Sequence, residues 1–140
     1  MPARYLLDTN TVNYIIKGNR PRVRERLLRV PMAEVGISVL TEAELLFGLA
    51  RRPDATKLKI VVEEFLLRVD ILPWGSEAAQ QHSRIRATLE HASEPMGNLD
   101  LMIAAQAYAL GLVLVSSDSV FRQRKAESWR WFNRLMSGVV

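Results

Sequence analysis

Residues 98–115 read Asn-Leu-Asp-Leu-Met-Ile-Ala-Ala-Gln-Ala-Tyr-Ala-Leu-Gly-Leu-Val-Leu-Val, and this segment sets the fold class. Its first part predicts a helix, because apolar residues recur at helical spacing at Leu99, Ile103, Ala107 and Leu110. Gly111 follows where a C-cap glycine belongs. The apolar run 112–115 then predicts a strand buried on both faces. A helix leading directly into a buried strand is typical of a parallel sheet.

The rest of the chain repeats this alternation. Three further short apolar runs predict strands at residues 5–7, 35–39 and 69–72. Two more helical stripes lie between them, one formed by Leu58, Val61, Val62, Phe65 and Leu66, the other by Ala78, His82, Ile85 and Leu89. Strands that alternate with helices predict βαβ units, a mostly parallel central sheet and an α/β sandwich.

Length and composition narrow the classes of protein. The 140 residues suit one domain, and 49% of them are hydrophobic, which is enough for a core of its own. The absence of cysteine excludes cysteine nucleophiles, thiolate zinc sites and thiol redox switches. No apolar run reaches the roughly 18–20 residues of a membrane-spanning helix, and the charged N-terminus does not resemble a signal peptide. We therefore expect a soluble cytoplasmic protein that does not enter a membrane.

The charge is distributed unevenly along the chain. Residues 1–30 hold seven basic and two acidic residues, and residues 119–140 hold five and one. The segment between them holds seven basic and twelve acidic residues. A basic periphery around an acidic middle suits a polyanion drawn toward a cation-binding centre, although two solvated basic helices would give the same counts.

Four acidic residues occupy comparable places in this plan. Asp8 follows the first strand, Glu44 lies in the helix after the second, Asp100 lies in the first turn of the last helix, and Asp118 follows the last strand. In an open parallel sheet these places meet beyond the carboxyl ends of the strands. Clustered carboxylates repel one another unless a cation neutralises them. An oxygen-only ligand set favours Mg²⁺ or Mn²⁺.

Each acid also has a purely structural interpretation. Asp8 has the position of a cap for a helix beginning near Thr11. Thr41 and Glu44 have the spacing of a capping box, and Asp118 suits an Asx turn. The spacing alone leaves both interpretations open.

Three phrases resemble the PIN-domain ribonucleases and, more closely, the VapC toxins of bacterial toxin–antitoxin pairs. They are Leu-Leu-Asp-Thr-Asn at residues 6–10, Ile-Ser-Val-Leu-Thr-Glu-Ala-Glu-Leu-Leu-Phe-Gly at 37–48, and Pro-Met-Gly-Asn-Leu-Asp-Leu-Met-Ile-Ala-Ala at 95–105. The resemblance implies a single PIN domain over residues 1–140 with a three-layer α/β/α sandwich. Residues 119–140 depart from the family pattern, as a basic and aromatic tail without a visible β-like run.

The resemblance also implies an activity. The family's catalytic and metal-binding acids would be Asp8, Glu44, Asp100 and Asp118, with Thr9, Asn10 and Ser116 as polar neighbours. The expected protein is an endoribonuclease toxin that depends on Mg²⁺ or Mn²⁺ and uses activated water, leaving a 5′-phosphate and a 3′-hydroxyl. Glu42 is the weaker rival of Glu44, because it lies about 200° away around the helix.

The family's partners would be a VapB-like antitoxin, RNA, with a tRNA or another structured RNA among the expected targets, and a second copy of the chain. Residues around Val61, Phe65 and Leu66 suit either protein interface. The arginines that we expect at RNA phosphates, with solvated side chains as the alternative, are Arg20, Arg22, Arg24, Arg26 and Arg86.

Rival functions fit the sequence less well. A haloacid dehalogenase-type phosphatase needs Asp-x-Asp after the first strand, and Asn10 stands in place of its general acid. A phospho-receiver needs a carboxylate pair there, and Asp8 has no acidic neighbour. The histidines suggest no metal-free mechanism, since His82 lies on an apolar stripe and His91 ends the same helix. The remaining alternative is a PIN fold that binds RNA or protein without cutting.

Overall fold

The computed structural model describes residues 3–18, 25, 27–91, 93 and 97–116. Within these ranges one sheet of parallel strands runs in the order β3-β2-β1-β4. The strands are β1 (Tyr5–Leu7), β2 (Val35–Ser38), β3 (Asp70–Leu72) and β4 (Val113–Val115). The predicted strands and their parallel arrangement are confirmed.

Helices connect these strands, as the alternating pattern predicts. Their bounds are α1 (Thr9–Lys17), α2 (Val39–Arg51), α3 (Thr56–Arg68), α4 (Ser76–His91) and α5 (Asn98–Leu110). A short 3₁₀ turn at Met32–Glu34 precedes β2. The connection from β1 to β2 and the connection from β2 to β3 both join parallel neighbours, and both contain helices. Parallel strands need such crossovers because a tight hairpin cannot join them.

The sheet separates two apolar cores. Leu6 and Leu114 are register partners on neighbouring strands, and they pack with residues of α4 and α5. Leu7 and Ile37 point to the opposite face and pack with residues of α1, α2 and α3. The molecule is therefore a three-layer α/β/α sandwich, as expected.

The burial prediction for the last strand is wrong. β4 is not buried on both faces: Leu114 is buried, but Val113 and Val115 are half-buried because β1 is the only neighbour of β4 in the described sheet. β2, between β1 and β3, is the fully buried strand. Of the residues on the predicted helical stripes, Val61 and Leu110 are each 43% exposed.

The predicted end of the last helix is confirmed. Gly111 ends α5 with a left-handed φ of 67°, and its N–H donates to the carbonyls of Ala107 and Tyr108. His82 is half-buried with its ring edge-on to Trp74, and His91 is exposed. His82 is thus partly buried, in agreement with its position on the apolar stripe.

Several sequence predictions fall outside the described residues. They concern Asp118, the tail 119–140, and the arginines Arg20, Arg22, Arg24 and Arg26. The single-domain organisation likewise stays a prediction. Within the described ranges, no helix combines the length and hydrophobicity that crossing a membrane requires.

Candidate functional site

Buried polar side chains gather where β1, β2 and β4 end. The members of this polar cluster are Asp8, Thr9, Thr11, Ser38, Thr41 and Ser116. A buried polar group is costly unless it is hydrogen-bonded, so a concentration of such groups at one sheet edge requires a network of partners. The three strand ends supply that network.

Asp8 lies at the centre of the polar cluster and is only 1% exposed. Its backbone N–H donates to the Val115 carbonyl at 3.1 Å, which fixes it against β4. Its Oδ1 accepts from the Thr11 N–H at 2.8 Å, and its Oδ2 accepts from the Ser116 hydroxyl at 2.5 Å. The carboxylate also caps α1, where the helix dipole favours negative charge. The carboxylate is therefore held in one orientation from three sides.

The structural interpretation of Asp8 is thus confirmed, while that of Thr41 is wrong. Ser38 is the N-cap of α2, since its hydroxyl accepts from the Leu40 N–H at 3.1 Å. The helix consequently begins before Thr41, and no capping box forms between Thr41 and Glu44. The Thr41 hydroxyl instead pairs with the Thr9 hydroxyl at 3.0 Å, which joins the starts of α1 and α2.

Glu44 lies one turn beyond Thr41 and lines a groove that begins beside the polar cluster. The groove has a volume of about 420 Å³ and runs between α1, α2 and α3. Its lining residues are Thr9, Asn13, Ile16, Lys17, Glu44, Leu45, Phe47, Gly48, Arg51, Arg52, Leu58 and Val62. Of the two neighbouring glutamates, Glu44 belongs to this lining and Glu42 does not, in agreement with the preference for Glu44.

The other predicted residues are placed less centrally. Asp100 lies half-buried in the first turn of α5, the helix that leads to β4. Asn10 is exposed on the first turn of α1. Arg86 is exposed on α4 and pairs with Glu90, its Nε lying 3.0 Å from the carboxylate. Among the predicted residues, the structure therefore brings together Asp8, Thr9 and Ser116, with Glu44 on the adjoining groove.

The donor atoms at the polar cluster suit a hard divalent cation, because they are carboxylate and hydroxyl oxygens. In the described ranges, no Lys or Arg forms an ion pair with Asp8, so its buried charge has only hydrogen-bond donors and the helix terminus as partners. A buried charge without a counter-ion is costly. Among the residues that the structure describes, no three acidic or histidine side chains surround one position where a metal could bind.

Sequence reasoning missed part of this arrangement. Ser38 and Thr41 were not predicted as site residues, although their spacing to Glu44 places all three near one stretch of α2. Lys17 and Phe47 were also missed, because they reach the groove only through the way α1, α2 and α3 pack together.

Comparison with known proteins finds relatives that match most of the chain. A family model described as the PIN domain matches residues 5–127. The tRNA(fMet)-specific endonuclease VapC of Shigella flexneri is 32% identical over 130 residues, covering 90% of this chain and 98% of that protein. Its namesake from Salmonella typhimurium is 34% identical over 115 residues, covering 82% and 86%.

Solved structures show the same likeness in three dimensions. The DNA-bound VapBC of Salmonella typhimurium has a chain that matches with a TM-score of 0.75 and 31% identity, covering 98% of this chain and 95% of that one. VapBC2 of Rickettsia felis, bound to a promoter DNA fragment, matches with a TM-score of 0.77 and 26% identity, covering 85% and 91%. Sequence and fold therefore point to the same set of relatives.

Proposed function

The chain belongs to the PIN domain family, and on this premise we propose that it is a metal-dependent endoribonuclease toxin, held inactive by an antitoxin. The observation that carries the proposal is the buried Asp8 carboxylate, which hydroxyl and amide donors hold at the carboxyl ends of parallel strands. A groove containing Glu44 opens beside it. The names of the relatives, which are VapC endonucleases, support the same activity.

The proposed cation is Mg²⁺ or Mn²⁺. Asp8 would hold it together with Glu44, Asp100 and Asp118, the acids that the family resemblance identifies. When bound, such an ion supplies Lewis-acid chemistry, because it activates water as a nucleophile and neutralises charge on a phosphodiester. Oxygen ligands of this kind leave coordination positions open for phosphate.

Other residues of the chain position the acidic side chains that would bind the cation. Thr11 and Ser116 orient the Asp8 carboxylate, so that its remaining lone pairs keep one direction. The bond between Thr9 and Thr41 joins the start of α1 to the first turn of α2, the helix that carries Glu44. Such preorganisation removes reorganisation cost from the reaction. In the proposed step, water would attack the phosphorus and the bond to the ribose 3′-oxygen would break, which gives the 5′-phosphate and 3′-hydroxyl that the family resemblance implies.

Cleavage of structured RNA by the purified wild-type chain and by the Asp8→Asn variant tests the proposal. Asparagine is as good an N-cap as aspartate, so the variant should keep its circular dichroism spectrum and Tm. We expect the wild type to cut in Mg²⁺ or Mn²⁺ and to stop in EDTA. The variant should lose at least about 100-fold in rate, because a ligand and an oriented charge disappear.

Two results would contradict the proposal. Cutting that persists in EDTA would exclude the metal, and equal cutting by a pure, folded Asp8→Asn protein would exclude the site. If neither protein cuts any of several tRNAs and other structured RNAs, the chain is instead a PIN-fold module that binds RNA or protein.

The proposed partners are inferred from the relatives and from the family resemblance. The solved neighbours are VapBC structures, which supports an antitoxin as the binding partner. A tRNA substrate is proposed from the names of the VapC relatives, and a homodimer and a cytoplasmic location from the family resemblance. Co-purification with the co-expressed antitoxin, and light scattering with and without it, would measure both assemblies.

A further inference from the structure

Gly48 is a glycine that the packing of α2 does not require. It lies inside the helix, and a Cβ built on it meets no atom within 4 Å. Glycine destabilises a helix interior relative to alanine, so an internal glycine surrounded by open space calls for another explanation. Gly48 lines the groove, and its missing side chain leaves the wall of the groove open.

Phe47 stands beside that opening and is exposed. The residue is 56% exposed, although it is a large apolar side chain. The Arg51 guanidinium lies 4.9 Å from the centroid of the Phe47 ring, one turn further along α2. An exposed aromatic ring supported by a guanidinium is the arrangement on which unpaired bases stack in proteins that bind single strands.

The groove changes its charge along its length. Thr9 and Glu44 lie at the end that adjoins Asp8, whereas Lys17, Arg51 and Arg52 lie at the other end. Thr9 and Lys17 are separated by about 12 Å along α1, at the usual rise of an α-helix. Three cations against one carboxylate give the groove as a whole a positive balance, which suits the phosphates of a polyanion.

We propose that Phe47, Gly48 and Arg51 form a shelf that holds an unpaired nucleotide of the substrate RNA next to the scissile phosphate. Phe47 stacks on the base, the space above Gly48 admits it, and Arg51 supports the ring and contacts phosphate. This inference rests on the proposed ribonuclease function. It deepens that function by naming the residues that hold a base of the substrate beside the cleavage position.

Equilibrium binding measures what the shelf contributes to RNA affinity, independently of cleavage. The test uses the full-length Asp8→Asn chain, which should not cut, and a fluorescein-labelled, ten-nucleotide single-stranded RNA of mixed sequence, monitored by anisotropy. Adding Phe47→Leu should weaken binding about tenfold, because leucine keeps the apolar bulk and loses the stacking face. Phe47→Trp should restore the affinity. Arg84→Gln removes an exposed cation of α4, on the opposite side of the sheet, and is the control for a surface substitution outside the groove.

Pairing of the probe provides a second readout. When the same RNA is annealed to its complement, its bases are no longer available to an aromatic ring, so Phe47→Leu should change duplex affinity less than twofold. In the active protein, Phe47→Leu should raise KM about tenfold and leave kcat within about threefold, since the shelf binds substrate and transition state alike.

Gly48→Ala distinguishes a ligand role from a packing role. The substitution should raise Tm by about 2–5 °C, because alanine favours the helix and meets open space. The same variant should bind the single-stranded probe at least about fivefold more weakly, because the new methyl group stands where the base enters. A purely structural glycine would not combine greater stability with weaker binding.

The outcomes separate the two proposals. Unchanged affinity in Phe47→Leu, equal loss in Arg84→Gln, failure of Phe47→Trp to restore binding, or no binding by the parent at low salt would each overturn the shelf. An antitoxin peptide whose affinity depends on Phe47 while RNA affinity does not would assign the groove to protein and also overturn it. A wild-type chain that binds RNA through Phe47 and cuts nothing would overturn the ribonuclease function and leave the shelf.

Discussion

Asp8 has two roles, one at the start of a helix and one in the polar cluster. Its Oδ1 caps α1 and stabilises the first helix, while the whole carboxylate forms the charged centre of the polar cluster. The N-cap geometry fixes the side chain, and Ser116 fixes its second oxygen. A side chain that is held this firmly needs no rearrangement to receive a cation, which is the condition for an efficient electrostatic site.

Ser116 is the residue whose removal tests this orientation. Ser116→Ala deletes the hydroxyl that donates to Asp8 Oδ2 and leaves the carboxylate in place. We expect RNA cleavage to fall about 10–100-fold and to need more Mg²⁺, the usual effect of losing a partner of a metal ligand. The measurement is the cleavage rate across a Mg²⁺ titration.

The control for this prediction is Ser83→Ala, which removes an exposed hydroxyl that donates to the Gln80 carbonyl on α4. It should leave the rate unchanged. Wild-type rates for Ser116→Ala at every Mg²⁺ concentration would show that the hydrogen bond to Asp8 plays no part in the site.

At the scale of elements, α5 and the segment after β3 are joined by hydrogen bonds, in which each contributes a side-chain donor to a backbone carbonyl. The buried Gln106 amide donates to the carbonyls of Leu72 and Pro73 at 3.1 and 2.9 Å. In return, the Trp74 indole donates to the Met102 carbonyl at 2.9 Å. These bonds cross from the helical layer to the edge of the sheet and hold α5, which carries Asp100, in register with the strands.

Gln106→Leu should lower the free energy of unfolding by about 1–3 kcal/mol, because two buried carbonyls lose their donor. The variant also removes Gln106 Oε1, a buried acceptor without a partner among the described residues, so the loss should lie toward the lower end. Urea denaturation measures the change. Gln80→Leu, an exposed position on α4, should stay within about 0.5 kcal/mol of wild type. A variant at position 106 as stable as the Gln80 control would contradict the prediction.

The elements also show what a sequence pattern can and cannot predict. The buried runs and the glycine at 111 predicted strands and a helix end, because β-branched runs and left-handed backbone have few alternative explanations. The capping-box interpretation placed the start of α2 at Thr41 instead of Ser38, because serine and threonine are both residue types that cap helices. Only the end of β2 shows which of the two remains extended, with Ser38 at a ψ of 148°.

For the molecule as a whole, the sequence predicted the edge of the sheet where the polar residues meet, because topology alone brings strand ends together. It did not predict the groove. That surface is built from α1, α2 and α3, whose relative positions depend on how Leu7, Val12, Leu45 and Val62 pack. No local pattern contains this information, so Lys17 and Phe47 went unnoticed until the helices were placed.

The predicted RNA contacts of the basic segment can be tested by salt dependence. Replacing Arg20, Arg22, Arg24 and Arg26 by Gln in the Asp8→Asn chain should reduce the slope of log affinity against log salt by about 3 for a single-stranded RNA. The physical reason is that each neutralised phosphate releases a counterion. Anisotropy titrations between about 50 and 200 mM salt measure the slope.

The matched comparison removes an equal number of charges elsewhere, with Lys57, Lys59, Arg68 and Arg84 changed to Gln. These exposed side chains lie outside the groove lining, so the slope should change by less than about 1. Equal slopes for the two quadruple variants would show that the basic segment acts only through net charge.

The bond between Asp8 and Ser116 joins residues that are 108 positions apart. During synthesis, Asp8 leaves the ribosome early, and its partners on β4 follow on the order of ten seconds later. Until then α1 can form, but the carboxylate lacks Val115 and Ser116. A nascent chain therefore carries an incomplete centre for most of its translation, and a truncated product that ends before β4 should be inert toward RNA, including the RNA of the ribosome that is making it.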